Sequence, residues 1–337
     1  MRLIVTVLTI MVCSVVHAFG AEYKVQARYP IAGTEGWDYI TIDSAARRVY
    51  VSHGVRVNVL NADTGAVVGT IEDTPGIHGI AIAGREGNGF TSNGKENKVS
   101  MFNISTLAVV KKIDTGMGPD GIYYDQASKR VFTNNHGSHN ITAIDGATGN
   151  VVGTVEIGGD GEGAVTGSDG LIYVALEDKN EIAVFDPKTL EVKRHIPLEN
   201  IKAPTGLAVD VKNNRLFVGG HNKTMAILDG ASGKQIASFP TGSGTDAAGF
   251  DERTRRIFVS NGEGNLTVIQ QRSANEYIAQ ASVITQQRAK TMALDKKTGK
   301  VMLPAANVII TPAADPSKKA TKTITEGTFC VLVVGEQ

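Results

Sequence analysis

The stretch Arg48-Val49-Tyr50-Val51-Ser52 decides the fold, because the chain keeps rewriting it. It returns as Arg130-Val131-Phe132-Thr133-Asn134, Leu171-Ile172-Tyr173-Val174-Ala175, Arg215-Leu216-Phe217-Val218-Gly219 and Arg256-Ile257-Phe258-Val259-Ser260. Weaker copies are Asn88-Gly89-Phe90-Thr91-Ser92 and Lys300-Val301-Met302-Leu303-Pro304. The central column reads Tyr50, Phe90, Phe132, Tyr173, Phe217, Phe258, Met302, at spacings of 40, 42, 41, 44, 41 and 44 residues. A large side chain at the same place in every copy predicts a packing layer shared by neighbouring units.

Around that strand each repeat holds three more. The first follows a polar-Gly step, as in Asp120-Gly121-Ile122-Tyr123 and Thr205-Gly206-Leu207-Ala208. The third ends in Asp and runs into a Gly-containing turn, as in Ile141-Thr142-Ala143-Ile144-Asp145 followed by Ala147-Thr148-Gly149. The fourth is β-branched, such as Val151 to Val155. β-branched runs bounded by Gly, Asp and Asn turns read as strands. Four of them in a period near 40–45 residues are the mark of a propeller blade. The fold expected is all-β, a seven-bladed propeller over 21–337, with repeats near 38–77, 78–119, 120–161, 162–204, 205–245, 246–289 and 290–337. The last repeat lacks its fourth strand, while a spare strand lies at 23–31. Pairing the two would close the ring and hide both edges.

The repeats resemble YVTN-type propeller repeats, and the body of the chain resembles the secreted YncE-like seven-bladed proteins. Gly36-Trp37-Asp38-Tyr39, Val51-Ser52-His53, His78-Gly79-Ile80-Ala81, Gly220-His221-Asn222-Lys223 and the ending Gly327 to Val334 carry the likeness, which covers about residues 23 to 335. It implies the propeller fold and an envelope location. It also raises single-stranded DNA binding as one expectation.

Composition narrows the partners. The chain has 337 residues, 38 of them Gly, with 34 Lys+Arg against 34 Asp+Glu. That balance, with no clustered basic-aromatic groove, argues against nucleic acid and anionic membranes. Residues 1–20 read as a Sec-type signal peptide: Arg2, an apolar run from Leu3 to Val16, and cleavage near Ala18 or Gly20. Its loss removes one of the two cysteines, Cys13, and leaves Cys330 as a packed thiol with no disulfide partner. A periplasmic or secreted monomer with no transmembrane segment is expected.

The polar position opening each inner strand should line the channel mouth. That column is Asp38, His78, Asp120, Glu162, Thr205, Asp246, Lys290. A second column on the same face supplies His53, Asn261, His136, Glu177 and His221. Of the six histidines after the leader, only His195 falls elsewhere. Two roles for this face stay open. As a binding site for a small ligand or protein partner it would use Trp37, Asp38, His78, Asp120, Glu162, Thr205, His221, Asp246, Asn261 and Lys290. As a centre for a divalent metal (Zn, Fe, Mn, Ni or Ca) it would use His53, His78, His136, His221, Asp38 and Asp246, since imidazole with carboxylate suits such ions. The metal reading admits a lactonase-like hydrolase or lyase, with Glu162, Glu177, Arg288 and Lys290 as candidate catalytic groups.

A third reading makes the loop Asp, Asn and His residues turn caps. Trp37 either stacks on a ligand at the rim or lies beneath the loops. The long segment from Pro304 to Gly327, with Lys318, Lys319 and Lys322, is either a basic arm that selects anions or an insertion without order.

Overall fold

A computed structural model describes residues 22–313 and 320–337; the leader and Lys318–Lys319 lie outside the described residues. The large residues of the central column are all buried, none more than 2% exposed. They sit in the second strand of seven antiparallel sheets arranged around a channel, six of them four-stranded and the sixth blade's carrying a short fifth strand, Val283–Ile284. Blade three is typical. It runs Pro119–Asp125, Arg130–Asn135, Asn140–Asp145 and Val151–Val155 from the axis outward, each strand pairing with the next. Aromatics from the second and third strands stack between units: Phe132 meets Phe185 of the next blade at 5.3 Å, and Tyr50 meets Phe102 at 6.1 Å.

The polar-Gly step has a steric cause. A Cβ on Gly163 would stand 2.5 Å from the Thr205 carbonyl oxygen, and one on Gly206 would stand 2.7 Å from the Ala247 carbonyl carbon. On Gly121 it would meet the Glu162 oxygen at 3.0 Å. These glycines let the inner strand of one blade lie directly against the backbone of the next. The tight ring this allows brings the preceding polar residues to one mouth.

The ring closes as the sequence predicts. Blade seven has the order Ala293–Leu294, Val301–Ala305, Cys330–Glu336, Tyr23–Pro30, so the N-terminal strand is its outermost. Tyr23 faces Glu336 and Pro30 faces Cys330 in the register. Cys330 is buried, and burial pushes its thiol pKa up. On the face opposite the mouth, Arg47 of blade one binds Asp295 of blade seven at 2.8 Å, with the Asp295 side chain fully buried. Among the described residues no helix is long and apolar enough to cross a membrane.

Two strands of the long segment in blade seven pair with each other. Val308–Thr311 pairs with Thr321–Ile324 as a two-stranded arm beside the mouth.

Candidate functional site

The mouth column converges. His78 Nδ1 lies 2.8 Å from Asp38 Oδ2 and 3.5 Å from Asp120 Oδ2. His136 Nδ1 lies 3.8 Å from the same Asp120 oxygen, and its Nε2 lies 3.5 Å from Glu162 Oε1. The Lys290 ammonium sits 3.4 Å from Asp38 and against Asp246. Two triads therefore share one carboxylate: Asp38, His78, Asp120 and Asp120, His136, Glu162.

The backbone under these residues is pinned from the preceding blade. Thr291 donates to the Asp38 carbonyl at 2.6 Å, Ser92 to that of Asp120, Asn134 to that of Glu162 at 2.7 Å and Ser260 to that of Lys290. Polar residues of the second strands, with Thr291 just before the inner strand of blade seven, thus hold the mouth residues in place before any ligand arrives.

Proton positions follow from the partners. A carbonyl only accepts, so His136 donates its Nε2–H to Gly161 at 2.9 Å. In the neutral ring that leaves a bare Nδ1 facing Asp120. The Asp120 carboxylate accepts no hydrogen bond among the described residues. Burial raises its pKa, and the negative charge of Asp38 adds to that. Burial would lower His78, but the hydrogen bond to Asp38 and the Asp120 charge override it and raise His78. Burial would likewise raise Asp38; His78 and Lys290 outweigh it and hold the carboxyl below its usual range. Burial, then the Asp120 charge, pushes Glu162 well above the usual range, and burial also raises Asp246.

Tyr39, which the column reading passed over, donates its hydroxyl to Glu162 Oε2 at 2.7 Å. The signal was present, because Tyr39 stands where later repeats carry Gly79, Gly121, Gly163 and Gly206.

Other expected site residues are placed elsewhere. His53 is fully buried, hydrogen-bonded to Asn58 at 2.8 Å and packed on Phe329, because the rim segment before blade one covers it. Asn261 spends its amide on Asn265 and Thr267 and accepts from Thr245, so it caps a turn. The Thr205 hydroxyl donates to the Thr245 carbonyl at 2.7 Å. His221 lies apart, 3.5 Å from Glu177. Trp37 is half-buried: it packs on Phe329 at 5.4 Å and also lines a rim cleft with Arg288 and Lys290. A further group joins the exposed His139 and Asp178 to the half-buried Asp160.

A family model, PQQ_2, described as outer membrane protein assembly factor BamB, matches residues 53–302. The chain belongs to this family. The PQQ_2 match runs from the second strand of blade one to the second strand of blade seven, which leaves out the closing strands. No curated protein matches the sequence. Among solved structures the PQQ_2 chain is similar to one in the mitotic checkpoint complex, at 14% identity and TM-score 0.73 over 97% of this chain and 99% of that one. It is also similar to a chain of Kuenenia stuttgartiensis hydrazine synthase (16%, TM-score 0.69, 90% and 99%) and to the RRP9 WD40 repeats (7%, TM-score 0.75, 92% and 97%). At such identities the likeness shows the propeller fold alone.

Proposed function

We propose that this is a binding propeller of the cell envelope, of the YncE-like kind its repeats resemble, exported by the leader at 1–20. In this reading its channel mouth binds a small polar ligand through a divalent cation held by Asp38, His78, Asp120 and His136. The observation that carries it is Asp120, a mostly buried carboxylate set between two imidazoles and accepting no hydrogen bond among the described residues. Donor atoms around a tetrahedral ion with bonds of about 2.1 Å sit roughly 3.4 Å apart. The 3.5 and 3.8 Å separations about Asp120 Oδ2 are close to that figure. Two imidazoles favour Zn, Mn, Fe or Ni over Ca, which takes oxygen ligands. Binding would displace the His78 proton, so uptake should release protons. Four carboxylates around the mouth disfavour a phosphate backbone as its ligand.

The test uses untagged protein stripped with EDTA and titrated calorimetrically with Zn2+ and Mn2+. About one equivalent bound by the wild type and none by Asp120→Asn supports the reading. Less than about a tenth of an equivalent for every ion tried would overturn it.

A second reading, metal-dependent hydrolysis, is favoured by Glu162. Burial raises the pKa of this carboxyl and Tyr39 donates to its Oε2, so Glu162 is the group placed to act as a general acid. Loss of turnover in Glu162→Gln with cation uptake retained would support it, once a substrate class is found.

A further inference from the structure

Beside the mouth, where blades six, seven and one meet, a cleft of about 360 Å³ opens under the two-stranded arm. That is the size of a site for a small organic molecule. Its walls are Trp37 from the rim segment and Val308 and Ile324 from the arm, and Gly36, Gly244 and Gly262 also line it. Its charged lining is cationic, from Arg288, Lys290 and Lys322, and among the described residues no carboxylate lines it.

The three cations are not equal. Lys290 already shares its charge with Asp38 and Asp246. Arg288 has no acidic side chain within ion-pair distance among the described residues, and its Nε is buried without a hydrogen-bond partner. Its backbone is anchored by a 2.7 Å hydrogen bond from its N–H to the Gly262 carbonyl. A guanidinium fixed at its base, with no acidic partner among the described residues and in the same cleft as an indole, is a receptor for an anion. The arm adds the apolar half. A lone two-stranded ribbon is weakly stable by itself. Here Ile309 and Ile310 stand 59% and 56% exposed, while Val308 and Ile324 turn to the cleft.

We propose that this cleft binds a small organic carboxylate with a flat apolar body. The carboxylate meets Arg288, with Lys322 as the second cation. The body lies between Trp37 and the arm residues Val308 and Ile324. The proposal goes beyond the cation site: the two share only the neighbourhood of Lys290, and the cleft's anion receptor needs no metal.

Trp37 is the only tryptophan, so its emission reports directly on the cleft wall. Metal-free protein in EDTA is excited at the indole edge and titrated with phenylacetate, with phenylacetamide and acetate as probes of charge and ring separately. We expect a saturable change with phenylacetate and none with acetate. Phenylacetamide, and phenylacetate with Arg288→Gln, should each bind about tenfold more weakly. Lys322→Gln, on the arm and away from the blades, should weaken phenylacetate in the same direction and serves as the readout if Arg288→Gln does not fold. Equal affinity for phenylacetate and phenylacetamide, or no saturable response from Trp37, would overturn the proposal. Because EDTA is present throughout, a failure of cation binding at Asp120 leaves this result unaffected, and the reverse also holds.

Discussion

His136 turns its Nδ1 toward Asp120 at 3.8 Å while its Nε2–H is committed to the Gly161 carbonyl. With the ring neutral, two electron-pair donors face each other with no proton assigned between them. Replacing Asp120 by Asn should therefore have two separable effects. Metal-free protein should melt a few degrees higher at pH 8, since a carboxylate whose pKa is raised by burial costs stability once ionised. The stabilisation expected of Zn2+ or Mn2+ in the wild type should be absent from the variant. A variant that melts lower and still gains from the ions would show that Asp120 is only a packing element.

The mouth also sets a pH dependence. His78 is raised in the folded state, so its contribution is complete below its ordinary value near 6.5 and is lost as pH climbs through the folded pKa. Glu162 and Asp246 are raised acids, so they add a penalty that grows above about pH 4 as they ionise. Asp38 is lowered, so its share is present above about pH 3.9 and lost in stronger acid. These upward shifts, together with that of Asp120, act in one direction. Urea midpoints of metal-free protein should fall between pH 5.5 and 9, and Glu162→Gln should flatten the fall. Midpoints that rise over that range would contradict the assignment.

Asp295 is the clasp on the other face. It is fully buried, accepts from Arg47 at 2.8 Å and from the Thr298 hydroxyl at 2.6 Å, and is held below the usual carboxylate range by those hydrogen bonds against the opposing effect of burial. Asp295→Ala leaves the Arg47 guanidinium with only the exposed Asp63 as its carboxylate partner and should cost about 2 kcal/mol in denaturant titrations. Adding Arg47→Ala should cost much less than the single effects summed, since the residues act as one unit. Strict additivity would show that the pair is not coupled.

The inner-strand glycines give the sharpest steric contrast. Gly163→Ala would push a methyl into the Thr205 carbonyl, which belongs to backbone and cannot rotate away. A loss of about 2–4 kcal/mol is expected, as for overpacking at a site that cannot relax. Gly84→Ala, whose Cβ would find only Ile82 at 3.9 Å, should change stability by less than about 0.5 kcal/mol. Similar melting temperatures for the two would remove the account of the polar-Gly step.

The residues that repeat were the residues that could be read. Tyr50 and its equivalents announce the blade because each meets the same environment seven times, and the polar column shares a face for the same reason. What breaks the repeat stayed hidden. His53 resembles its neighbours in sequence, yet Asn58, Phe329 and a segment outside the repeat enclose it. The direction of the His136 ring depends on a carbonyl 25 residues away, which periodicity does not encode. The arm at Val308–Ile324 pairs locally, but the cleft it covers is formed with Trp37, from the far end of the chain.

The antiparallel register of Tyr23–Pro30 with Cys330–Glu336 has a kinetic meaning. The first of the propeller's strands along the sequence can be laid down only against the last of them. Local hairpins can form early, but the search that joins the two ends spans nearly the whole sequence. Such high contact order places closure late and makes it slow. Until then the edge of blade seven offers unpaired backbone to other chains, so dilution or a holding chaperone should govern the yield of refolding more than the stability of any single blade.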